Sequence, residues 1–126
     1  MPSERPPVDR RTLDLGAKGE DLAVAWYTRR GYEVLGRNWR CRDGELDLVV
    51  SRDRCVVFCE VKTRRSSRFG SPVEAVTPAK AARLRRLAGQ WLRAHDLPVP
   101  HIRVDVIGVL VPRSGPVDLV HLEGVA

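Results

Sequence analysis

Apolar positions along this chain recur in two periods, and each change of period marks a new element. In "LDLGAKGEDLAVAWYTRRGY", Leu15, Leu22, Ala25 and Trp26 fall at helical spacing, acids come early and arginines late, and Gly31 can end the helix. The pattern predicts a first helix beginning near Leu13, preceded by a Pro- and Arg-rich arm over residues 1–12 that is disordered or loosely held. "YEVLGRNWRC" reads as a strand with its glycine at an irregularity, and residues 44–64, "GELDLVVSRDRCVVFCEVKTR", read as a β-hairpin. Turn residues without a sustained period predict a loop over 63–77. Thr77 can then cap, and Pro78 open, a second helix running to about His95. Its apolar stripe is Ala81, Leu84, Ala88 and Trp91, while Arg83, Arg86, Gln90 and Arg93 lie on a different face. "HIRVDVIGVLVP" is rich in β-branched residues and predicts a strand, with "VDLVHL" as a short final one.

This order predicts a single α/β domain over residues 13–126, a central mixed β-sheet flanked by α-helices. Strands joined by a short turn must run antiparallel, so part of the sheet is antiparallel. No Gly-rich phosphate loop follows a strand, which excludes the common nucleotide-binding folds.

The hairpin carries charges where buried strands would carry Val or Ile. Alternation puts Glu45, Asp47 and Val49 on one face of its first strand and Leu46, Leu48 and Val50 on the other. On the second strand Val56, Phe58, Glu60 and Lys62 share a face. A turn centred in "SRDR", within one step of the Arg52–Asp53 bond, sets Asp47 opposite or diagonal to Glu60, close enough for two carboxylates to reach one ion. Converging carboxylates repel unless a cation neutralises them. Mg²⁺, with Mn²⁺ as a substitute, suits such oxygen donors and binds substrate phosphate, and Lys62 can offset charge in a phosphodiester-cleaving transition state. Pattern alone equally supports a solvated ion pair on an open sheet face. Phe58 and Val56 on the charged face favour a site, because a fully solvated face rarely carries both.

At 126 residues, 43% hydrophobic and 30% charged, the chain is the size of one soluble globular domain. No apolar run spans a membrane and the N-terminus has no secretory pattern, so the expected compartment is the cytoplasm. Three cysteines cannot close a disulfide framework, and Cys55 and Cys59 lie too far apart along a strand to share an ion. A net charge of +6 favours a polyanionic partner.

"GELDLVV" followed by "VVFCEVKTR" resembles the PD-(D/E)XK nuclease superfamily, whose site is an Asp on one strand and Glu-x-Lys on the next. More closely, "GAKGEDLAVAWYTRRGYEVLGRNWRCRDGELDLVV", "FCEVKTR" and "FGSPVEAVTPAKAARL" resemble the YraN-like family of small bacterial proteins, related to archaeal Holliday-junction resolvases. The resemblance runs from about Leu15 to Val109. It implies a restriction-endonuclease-like core with Asp47 and Glu60 as metal ligands and Lys62 as the catalytic lysine. By the same resemblance Glu20, in "KGED", is a further acid and ligand at the site. Leu46 stands where the superfamily has the proline of its Pro-Asp pair. Glu45 shares the strand face of Asp47 and reads as an exposed acid at the strand end, with assistance at the site as the alternative.

Two groups of cations suit a nucleic-acid backbone, DNA in the first instance. Arg64, Arg65 and Arg68 follow Lys62 directly; Lys80, Arg83, Arg86 and Arg93 lie on the second helix. Trp26 and Trp91 occupy core positions, whereas Trp39, among Arg37, Asn38 and Arg40, is more open to stacking on a base. His95, His101 and His121 form no ligand spacing. Three functions follow: a Mg²⁺-dependent DNA endonuclease acting on branched or recombination intermediates, a DNA-binding module with no intrinsic or only partner-dependent catalysis, or a basic interaction protein. Resolvase-like enzymes often pair, so a homodimer or another protein partner belongs to the first two.

Overall fold

The computed structural model describes residues 10–66, 76–97 and 101–125, with side chains from residue 14 onward. Helix α1 (Arg10–Arg29) begins ahead of Leu13, where the apolar spacing first shows. It closes as expected at Gly31, which takes a φ of 85° while the Tyr32 amide bonds back to the Tyr27 carbonyl at 3.1 Å. Strands β1 (Glu33–Cys41), β2 (Gly44–Arg52) and β3 (Cys55–Arg64) follow as an antiparallel meander. Asp53 and Arg54, both at positive φ, form the β2–β3 turn, one step beyond the Arg52–Asp53 bond.

Helix α2 (Pro78–His95) starts at Thr77, whose hydroxyl accepts from the Lys80 amide at 3.1 Å, and carries the chain across to β4 (His101–Leu110). This crossover makes β3 and β4 parallel, and β5 (Asp118–Leu122) closes the sheet antiparallel to β4. The sheet order is β1-β2-β3-β4-β5, an α/β fold consistent with a restriction-endonuclease-like core. The predicted loop over 63–77 starts later than its composition suggests: Thr63 and Arg64 pair with Val109 and Leu110 and prolong β3. Arg68 and residues 1–9 of the predicted arm lie outside the described residues. No helix among the described residues is long and apolar enough to cross a membrane.

Each helix buries its stripe on one face of the sheet. Ala23 and Tyr27 of α1 pack with Leu48, Val50, Val57, Cys59 and Ile107; Leu84, Leu87 and Trp91 of α2 pack with Leu46, Val49, Phe58 and Val104. The β3 alternation is the one predicted. In β2 it fails at one step: Leu46 joins the α2 side although Leu48 and Val50 join the α1 side. Strand β1 changes phase at the facing position. Arg37 reaches acids on α1, Trp39 packs toward α2, and Asn38 between them has a φ of 52°. A second irregularity lies between Val34 and Gly36, where the glycine predicted one.

Asp105 on β4 is the charged side chain with no solvent exposure among the described residues. Its carboxylate accepts from Tyr27 Oη at 2.8 Å, from Arg103 Nε and Nη2 at 2.9 Å each, and from the Gly124 amide at 3.0 Å. His121 Nε2 lies 2.7 Å away, and facing an ionised carboxylate it must carry its proton there. Arg103 also bonds Tyr32 Oη at 2.9 Å and Glu123 at 2.8 Å. One residue thus ties together α1, the start of β1, β4, β5 and the C-terminal segment. Burial alone would raise the Asp105 carboxyl, but these donors hold it below the ordinary carboxylate value. A lowered folded pKa adds stability that is present above the unfolded value of about 4 and lost as pH falls through and below it. Asp105→Asn should therefore cost about 3–5 kcal/mol by removing the buried partner of Arg103, which would keep only the exposed Glu123, and should flatten the acid limb of a denaturation profile; an unchanged midpoint at pH 7 would remove Asp105 from this role.

Candidate active site

The site begins where the sheet parts. β2 and β3 are paired from the turn up to Leu48 and Cys59. From there β2 stays with β1 as far as Gly44 and β3 with β4 as far as Arg64, but the two are no longer bonded as a ladder. Asp47 and Glu60 are the first residues beyond the fork, one on each arm. The opened arms leave backbone groups to satisfy, and Asp47 Oδ2 does this for one of them by accepting from the Val61 amide at 2.9 Å.

Around this point the predicted residues arrive from different elements. Lys62 Nζ lies 3.8 Å from Glu60 Oε1. Glu20 comes from α1, within electrostatic reach of Asp47 together with Glu60 and Glu45. Its helix is held close to β3 by Gly19: a Cβ there would lie 1.8 Å from Thr63 Oγ1 and 2.8 Å from Thr63 Cβ. Rotating Thr63 cannot relieve the second contact, so only glycine permits this approach. Glu45 is itself paired with Arg40 at 3.2 Å. Arg37, which sequence reasoning had not assigned, lies 3.8 Å from Glu20 and 2.8 Å from Asp21. Its signal was available only as a strand-edge arginine next to Asn38.

Burial pushes the Asp47 carboxyl up to about 6; the Val61 amide opposes this, and the charges of Glu20, Glu60 and Glu45 add to it. Such a crowding of acids with incomplete compensation is what a cation would relieve. Among the described residues no three His, Cys, Asp or Glu side chains converge as a ready-made cage. The oxygen donors of Asp47 and Glu60 fit Mg²⁺, which uses one or two carboxylates and fills its remaining positions with water and substrate phosphate.

The remaining candidates divide. Lys80 is half-buried beside Lys62 and Glu60, not on the outer face with Arg83, Arg86 and Arg93, which are exposed. Burial, then the Lys62 charge, lowers its pKa. Arg83 extends past Gly44, whose Cβ would meet its guanidinium at 3.3 Å. Arg64 is a half-buried strand residue and Arg65 is exposed at the bend after it. Trp39 is half-buried against the α2-side core, edge-on to His95 at 6.2 Å, with less of its ring free than its polar neighbours suggest. Trp91 is core, as expected, and Trp26 packs at the α1-side core beneath Arg30.

Residues 19–109 match the uncharacterised protein family UPF0102. The chain belongs to this family. The UPF0102 protein of Kineococcus radiotolerans is 52% identical over 113 residues, covering 89% of this chain and 93% of that protein. Those of Beutenbergia cavernae and Streptomyces griseus are 53% and 52% identical, covering 88% and 89% of this chain and 94% and 95% of their own lengths. Glu20, Asp47, Glu60, Lys62 and Lys80 all fall within the UPF0102 match.

Divalent-ion affinity, read by calorimetry, should rise about tenfold per pH unit up to about pH 6 and then level, since binding displaces the Asp47 proton. Asp47→Asn should abolish it. Because a raised carboxyl adds stability below the unfolded pKa that is lost above the folded one, the same variant should gain about 1–3 kcal/mol at pH 7.5 in chelator; unchanged metal affinity would sink the ligand assignment. Separately, Gly19→Ala should cost roughly 1–3 kcal/mol by overpacking, and adding Thr63→Ala should recover most of it. Strictly additive losses would show that the contact does not set the position of α1.

Proposed function

We propose that this protein is a Mg²⁺-dependent DNA endonuclease that hydrolyses phosphodiesters in branched or recombination intermediates. The observation that carries the reading is the fork: two carboxylates, Asp47 and Glu60, stand at its mouth on separate strands, with Lys62 two residues on from Glu60. A structural salt bridge does not require the sheet to open, nor does it gather Glu20 and Glu45 around a carboxyl already pushed upward. Mg²⁺, or Mn²⁺ in its place, would be held by Asp47 and Glu60, with Glu20 as a further acid, and would supply charge neutralisation and a water of lowered pKa. Lys62 offsets the charge that develops on the phosphate oxygens. Arg64, Arg65 and Arg83 border the fork and suit contact with the flanking backbone, which positions a duplex without reading its sequence.

The lack of three converging ligands among the described residues favours a second reading, a DNA-binding module whose site is completed only when another protein supplies the remaining oxygens. The two separate on one experiment. Labelled four-way junction, flap, single-stranded and duplex DNA are incubated with purified protein and Mg²⁺ or Mn²⁺, beside Asp47→Asn and Lys62→Ala. The endonuclease predicts metal-dependent cutting reduced about 10²–10³-fold or more in both variants. Binding without cutting supports the partner-dependent module, and neither activity defeats both readings.

A further inference from the structure

We propose that Lys80, from the first turn of α2, and Lys62, from β3, form a two-lysine clamp on the phosphate at the fork. The inference deepens the phosphodiester reading and rests on it.

The helix geometry supports this first. Leu84, Leu87 and Trp91 are the buried stripe of α2, and Lys80 stands four residues before Leu84 and seven before Leu87, on the same inward line. Arg83, Arg85 and Arg86 are exposed, whereas Lys80 is half-buried. The stripe that packs the core at its C-terminal end therefore presents an ammonium at its N-terminal end. Backbone needs do not explain the residue, since the Thr77 cap uses only the Lys80 amide and any side chain would serve.

Charge supports it next. Lys80 is near enough to Lys62 for the two ammonium charges to oppose one another, and both share the field of Glu60, which lies 3.8 Å from Lys62. Two ammonium groups brought together in a partly buried setting repel, and Glu60 is the carboxylate that offsets them. If Glu60 gives its charge to a divalent ion, the lysine pair is left in excess and an anion is needed between them. A phosphodiester held by that ion meets the need. A local choice that works against folding and becomes favourable only with a ligand present points to the ligand. Arg83 nearby adds to the same positive field.

The test uses the full chain, a short labelled DNA duplex and Ca²⁺ in place of Mg²⁺ to suppress turnover, with affinity read by fluorescence anisotropy over a salt series. Lys80→Ala should weaken binding about 5- to 10-fold and reduce the slope of log K against log salt by about 0.9, the loss of one phosphate contact. Lys80→Arg should recover most of the affinity and slope. The thermal midpoint without DNA should hold or rise in Lys80→Ala, and Ca²⁺ affinity without DNA should not fall, which a merely structural role for Lys80 does not predict. Arg113→Ala, which removes an exposed charge on the β4–β5 connection, should leave the slope unchanged. A wild-type slope in Lys80→Ala, with wild-type protein binding and cutting normally, would overturn the clamp alone. Failure of the wild-type protein to bind DNA would overturn the phosphodiester reading and the clamp together.

Discussion

A β-sheet cannot open between two of its strands without leaving amides and carbonyls unpaired, and this constraint organises the molecule. β2 and β3 separate after Leu48 and Cys59, each held on its far side by another strand. The ten-residue parallel pairing of β3 with β4 keeps β3 straight through Arg64, while β1 carries β2 away with a change of phase at Asn38 and Asp47. The Asp47 carboxylate replaces one missing ladder bond by accepting from the Val61 amide. Its oxygen is therefore fixed by the backbone on which Glu60 and Lys62 are mounted, and the spacing of the three does not depend on a loop.

Two acids, Asp105 fully enclosed and Asp47 partly so, show why burial alone does not mark a functional residue. Asp105 is fully buried and held low, because Tyr27, Arg103, His121 and the Gly124 amide all point at it. Asp47 has one such donor and several acids nearby, and is pushed up to about 6. The first is a finished network whose removal would loosen five segments of the fold. The second is unfinished, and proteins keep an unfinished charge where a ligand completes it.

Much of this was legible in the chain. Alternation in β3 and a short turn in "SRDR" were enough to bring Asp47 against Glu60, and Thr77 with Pro78 marked the start of α2. What the pattern missed has physical causes. Strict period two assigned Leu46 to the face of Leu48, but paired irregularities in two neighbouring strands reverse it, and neither carries a glycine to announce the change. Lys80 was grouped with Arg83 because charge suggests an outer face, although its spacing from Leu84 and Leu87 is that of the inner stripe. The Asp105 network joins residues from positions 27 to 124, and such separations leave no local period to read.

The distribution of charge bears on how a polyanion could use this surface. The chain carries +6 overall, yet its fork gathers Glu20, Glu45, Asp47 and Glu60, so a phosphate backbone would be attracted at long range and repelled at the fork itself. Arg37 and Arg40 are engaged by Glu20, Asp21 and Glu45 and cannot fully offset this. A divalent ion at the carboxylates would reverse the sign locally, on the arm that carries Lys62. Metal and nucleic acid would then favour one another's binding through Glu60, since each would remove a charge the other must otherwise oppose. On the proposed function the acids would do more than tolerate a cation; they would keep the site closed to phosphate until one is present.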